Sequence, residues 1–165
     1  MTGTQTVTVN IQVSGPQAAK VTATDEGPGS TITVTTGLSM VNFYDGRAVE
    51  VYTGAWLHPV DIAGMLPTAA DPKLQAPHLT WATRKPSDKI TASGPSILIG
   101  ATGTDHANHV YDRSRRALRV RIGNVTWLVT DRLAYDAMAS AYRKAQLLAR
   151  LSSAPTAHKP RPGGG

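Results

Sequence analysis

Five arginines crowd into positions 113–121 of the run YDRSRRALRVRIG: Arg113, Arg115, Arg116, Arg119 and Arg121. Arginine suits phosphate, because its planar donor fork can hold two oxygens at once and its charge persists at physiological pH. Arg119 and Arg121 stand two apart in Leu118–Ile122, which alternates as a strand does, so both point to one side of a sheet. Arg113, Arg115 and Arg116 belong to the preceding turn, at the edge of that surface. The expectation is a phosphate-contacting, nucleic-acid-binding surface. The competing reading is a solvated sheet face that charge keeps soluble and protects from edge pairing.

Other chemistry finds little support. The chain has no cysteine, which removes thiolate catalysis, thiolate metal sites and disulfides together. Asp105, His106, His109 and Asp112 offer metal-compatible groups within eight residues, but the histidines lack the i, i+4 spacing of a zinc helix and GTDHANHVYD reads as loop entering strand. Neither metal nor cofactor is expected. The glycine-bearing turns Gly27-Pro28-Gly29, Gly94-Pro95-Ser96 and Gly100-Ala101-Thr102-Gly103 have neither the spacing nor the lysine of a phosphate-binding P-loop. Gly-x-Ser-x-Gly is absent and the carboxylates are scattered, so the chain is expected to be no enzyme and no catalytic residue is assigned.

Charge distribution strengthens the basic reading. Residues 1–78 hold three Lys/Arg against six Asp/Glu, a net −3, whereas residues 79–165 hold fourteen against five, a net +9. Such asymmetry concentrates anions near one surface.

The elements that must position these arginines follow from period and punctuation. Thr6–Val13 alternates as a half-buried strand, Lys20–Thr24, Thr31–Thr36 and Ser39–Tyr44 follow, and Asp45 caps a helix running to about Trp56. In the second half, Ser96–Ala101 and His109–Asp112 read as strands. Leu118–Ile122 and Val125–Thr130 form a hairpin around Gly123-Asn124, and Asp131 caps a helix over Leu133–Leu151.

Displacing the chain by 86 residues aligns Ile32–Trp56 with Leu118–Tyr142 without a gap, with identities at Val34/Val120, Gly37/Gly123, Asp45/Asp131, Ala48/Ala134 and Ala55/Ala141. These fall at the turn, the cap and the helix face. Two-residue turns would oppose Ile122 with Val125, Val120 with Trp127 and Leu118 with Val129. In the first half they would oppose Val34 with Val41 and Ile32 with Phe43. Each helix carries a matching apolar stripe: Ala48, Val51, Tyr52, Ala55 and Trp56 in one, Ala134, Met138, Ala141, Ala145 and Leu148 in the other.

The expected fold class is α+β, a tandem duplication of an antiparallel four-stranded sheet followed by a helix. Residues 5–57 form the first unit and 58–93 a proline-rich irregular connector, in which Leu79–Thr83 could add a short strand. Residues 94–151 form the second, basic unit, and 152–165 a disordered tail.

A four-strand-then-helix unit repeated in tandem resembles the arrangement of the Pur-type and Whirly-type single-strand binders. The resemblance covers most of residues 5–57 and 94–151 and is topological, without a shared motif; it implies a sheet face that holds nucleic acid. Base-stacking rings are scarce in the sequence: the register turns Trp127 inward and leaves Tyr44, Tyr111 and Tyr135 as candidates. The alternative function is protein–protein interaction or self-assembly into a homo-oligomer. It would use the uncharged outer face of the first unit, Thr31, Thr33 and Thr35 beside Met40, Asn42 and Tyr44. Without a signal-like N-terminus or a long apolar run, the expectation is a cytoplasmic protein with no membrane partner, of the composition common in GC-rich bacteria.

Overall fold

The computed structural model describes residues 7–25, 30–69 and 97–153. The elements run β1 (Val9–Val13), β2 (Ala19–Thr24), β3 (Thr31–Thr36), β4 (Ser39–Phe43), α1 (Gly46–Leu57), α2 (Val60–Ala63), β5 (Ile97–Ala101), β6 (Ala107–Asp112), β7 (Ala117–Ile122), β8 (Val125–Val129) and α3 (Arg132–Ser152). The strand expected at 79–83, most of the connector and the tail beyond Ser153 lie outside the described residues.

Both hairpins form in the register the apolar pattern dictates. Val34 faces Val41 and Ile32 faces Phe43 across β3–β4; Ile122 faces Val125, Val120 faces Trp127 and Leu118 faces Val129 across β7–β8. Gly37 and Gly123 take φ +54 and +57 at the first turn position, which glycine does at no steric cost. Behind each turn the same bond recurs: Gly37 donates to the Ala18 carbonyl at 3.4 Å and Gly123 to the His106 carbonyl at 2.9 Å.

The sheets are mixed rather than antiparallel, and neither is made from one contiguous half. The first is ordered β2-β3-β4-β5 and the second β1-β8-β7-β6, so the two halves exchange their opening strands. β1 lies parallel to β8, with Val9 opposite Val125, and β5 lies parallel to β4, with Ile97 opposite Ser39. The link from β1 to β2 holds the exchange. The Thr130 amide donates to the Val13 carbonyl at 3.1 Å, and the Gly15 amide donates to Asp131 Oδ2 at 2.7 Å. Every pairing in one sheet has its counterpart in the other, displaced by 88 residues in the first two strands and 86 in the next two.

The helices cross over as well. α3, which follows β8, packs on β2 and β3, whereas α1, which follows β4, packs mainly on β6 and β7, and the two helices pack on each other. Each helix therefore lies mainly on strands of the other half, not on its own hairpin as the contiguous-unit pattern implied. The result is one core between two sheets. Its centre is aromatic: Trp56 stacks on Tyr142 at 5.6 Å and 6°, and meets Trp127 edge-on at 5.8 Å. Phe43 and Tyr52 meet edge-on at 5.1 Å. Burial pushes the Tyr142 phenol far above its ordinary range, and neighbouring Tyr52 adds to the shift. Among the described residues no helix is long and apolar enough to cross a membrane.

Candidate nucleic-acid interface

Strand alternation leaves one face of each sheet outside the core. On the second sheet this outer face consists of two transverse rows. Hydrogen-bonded neighbours place Asn10, Thr126, Arg121 and Asn108 in one row and Gln12, Leu128, Arg119 and Val110 in the next. Together with Arg115 from the β6–β7 turn they line a concavity of about 650 Å³. A second concavity of about 660 Å³ continues it past Gln12, Arg115 and Leu128 to Arg116, Pro67 and Ala69. Of the five expected arginines, Arg115, Arg119 and Arg121 share the groove and Arg116 flanks its extension. Arg113 is exposed in the same turn but lines neither concavity.

The turn is organised by Asp112. Its Oδ1 accepts from the Ser114 hydroxyl at 2.6 Å and from the amides of Ser114 and Arg115 at 3.1 Å each. Its Oδ2 accepts from Arg119 Nη2 at 3.0 Å. The Ser114 hydroxyl first, then the Arg115 amide and the Arg119 charge, hold the Asp112 carboxyl below the usual carboxylate range. The aspartate is ionised at neutral pH and largely cancels the charge of Arg119. Arg121 differs: its Nε donates to the Gly123 carbonyl at 3.1 Å, and among the described residues it has no carboxylate partner, nor do Arg115 and Arg116.

Arg116 sits at φ +50, the left-handed region that costs a side-chain-bearing residue about 1 kcal/mol or more. Glycine would serve the turn better. Arg116→Gly is therefore expected to raise stability by up to about 1 kcal/mol in urea denaturation, while weakening any anion binding along the groove extension. A loss of stability would show that the arginine is there for the turn itself.

The corresponding face of the first sheet carries Lys20, opposite Thr35, but no arginine among its described residues. Thr33 and Thr35 stand where Arg119 and Arg121 stand in the second, and the Thr33 hydroxyl donates to Asn42 Oδ1 at 2.9 Å. Trp127 is buried in the core as its register requires, and Tyr44 is 65% exposed. Tyr135, expected as an exposed ring, is instead buried, with its hydroxyl donating to the Trp56 carbonyl at 2.7 Å. Tyr111 is half-buried against the core. Asp105 precedes β6 and Asp112 is its last residue, and among the described residues no three His, Asp or Glu side chains converge as a metal set.

Asn10 and Gln12 reach the groove only through the exchange of β1 into the second sheet. Alternation in Thr6–Val13 marks them as outward-facing, but nothing local says which sheet they join. Asn108 lies just ahead of the strand start expected at His109, and the bounds of β6 bring it in opposite Arg121. No protein-family model matches the chain, and neither a curated protein nor a solved structure matches it, so the case for the groove rests on its own geometry.

Proposed function

We propose that the chain is a non-enzymatic nucleic-acid-binding protein that holds the phosphate backbone in the arginine groove of its second sheet. The observation that carries this reading is the contrast between two faces with the same strand order and register. One is concave and lined by Arg115, Arg119, Arg121, Asn10 and Asn108, while the other presents Thr33, Thr35 and Asn42, with Lys20 its one cation among the described residues. If an arginine cluster on that face served folding alone, both sheets would need it. Arg116, in a conformation glycine would occupy with less strain, points the same way. A duplicated unit whose second copy specialised for anions accounts for both features.

Polar amides beside guanidinium groups suit a sugar–phosphate strand, whose oxygens accept from both. Titration of labelled single-stranded and duplex DNA and RNA at low salt tests the reading. Three to five neutralised phosphates give a log–log salt slope of roughly −2 to −5. Absence of binding to all four would remove it.

A second reading, self-assembly through the first sheet, rests on the Thr-rich outer face where Met40 pairs with Leu98, which is 70% exposed, and where Lys20 is the one cation among the described residues. Under it, Thr33→Arg with Thr35→Arg lowers the oligomer mass measured by light scattering, since buried like charges are strongly disfavoured unless paired. A mass that is monomeric before and after excludes it.

A further inference from the structure

Resting on the nucleic-acid reading, we infer that the row Leu128–Arg119–Val110 is a seat for one nucleobase, while Arg121 and Arg115 take the phosphates. The two groove arginines of β7 are not alike. Arg119 is tied to Asp112 at 3.0 Å, which fixes its guanidinium and offsets its charge. Its neighbours across the sheet are apolar: Leu128 on β8 and Val110 on β6, the latter 51% exposed. A neutralised planar group between two aliphatic side chains is a poor phosphate clamp and a good platform, because guanidinium planes stack on bases as aromatic rings do. Two strand spacings separate Leu128 from Val110, about 10 Å, which is wide enough for a base.

The adjacent row has the opposite character. Asn10, Thr126, Arg121 and Asn108 are polar throughout, and Arg121 has no carboxylate partner among the described residues. It lies two residues along the same strand, about 7 Å away, a step comparable to the distance from a base to its own backbone. A strand lying with its phosphates on the Arg121 row therefore brings a base over the Arg119 row. The seat also accounts for a groove whose lining residues include no Phe, Tyr or Trp. It requires an unpaired base and so selects single strands over duplex.

The test uses the full chain, a labelled single-stranded oligonucleotide and a strand of equal length with abasic sites in place of nucleotides. Arg119→Lys keeps the charge and the reach to Asp112 but removes the plane. It is expected to weaken the base-bearing strand roughly three- to thirtyfold and to change abasic binding by less than about twofold. Arg121→Lys should leave the ratio between the two strands unchanged. Wild-type affinity of Arg119→Lys for the base-bearing strand, or an equal loss on both strands, overturns the seat while leaving the phosphate groove intact. Failure of wild-type protein to bind either strand overturns the groove and the seat together.

Discussion

Asp131→Ala is expected to destabilise the protein by about 2–4 kcal/mol, whereas Asp45→Ala, at the equivalent cap of the other helix, should cost only about 1 kcal/mol. Both carboxylates accept from the third residue beyond them, Asp131 from the Ala134 amide at 2.9 Å and Asp45 from the Ala48 amide at 2.7 Å. Their surroundings differ. Asp45 is exposed, while Asp131 is fully buried and its second oxygen also accepts from the Gly15 amide at 2.7 Å and the Thr130 hydroxyl at 3.2 Å. Removing it strands two backbone donors away from water and loosens the link that holds β1 against β8. Thr130 reinforces the same link through Ser14, hydroxyl to hydroxyl at 2.7 Å. Urea denaturation of the two variants measures the difference, and equal losses would mean that Asp131 is only a cap. Because β1 supplies Asn10 and Gln12 to the groove, Asp131→Ala should also weaken nucleic-acid binding under conditions where the protein remains folded.

Arg119→Thr combined with Arg121→Thr should lower affinity for a single strand at moderate salt by roughly ten- to a hundredfold, since the one charge-assisted phosphate bond lost with Arg121 carries about 1.5–3 kcal/mol. Both side chains are exposed, and the one ion pair lost is a surface pair, so thermal stability should stay within about 1 kcal/mol. Threonine keeps β-propensity and is the residue that Thr33 and Thr35 supply on the other sheet, so lost binding cannot be assigned to a damaged strand. A circular-dichroism melt on the same preparation checks that point. Unchanged affinity would return these arginines to the role of solvating charge.

Local features of this fold were legible because local physics sets them. Alternation in Leu118–Ile122, the Gly123-Asn124 turn and the Asp131 cap each involve residues close in sequence, and β7, β8 and α3 follow within a residue or two of the expected bounds. The partner of a parallel edge strand is a different problem. Val9, Ile11 and Val13 announce one apolar face, yet that face would fit beside β2 or β8 equally well by pattern. The choice is made by contacts across more than a hundred residues, between Gly15 and Asp131 and between Val13 and Thr130. Helix placement follows the same rule: the stripes of α1 and α3 are readable, but not which strands each covers. For the groove, alternation is enough to put Arg119 and Arg121 on one side of the sheet, where they stand beside Leu128 and Thr126. What distinguishes them from each other, the hold of Asp112 on Arg119, depends on the turn geometry that brings residues seven apart together.

The salt dependence of single-strand binding by wild-type protein and by the Arg119→Thr, Arg121→Thr variant, measured in parallel, tests the central claim most directly. Arg121 contributes the charge of about one phosphate contact, and loss of Arg119 leaves Asp112 uncompensated beside the groove. The account predicts a variant slope shallower than wild type by about one to two units. Parallel lines of equal slope would contradict it, because phosphate would then be held somewhere other than the arginine face of the second sheet.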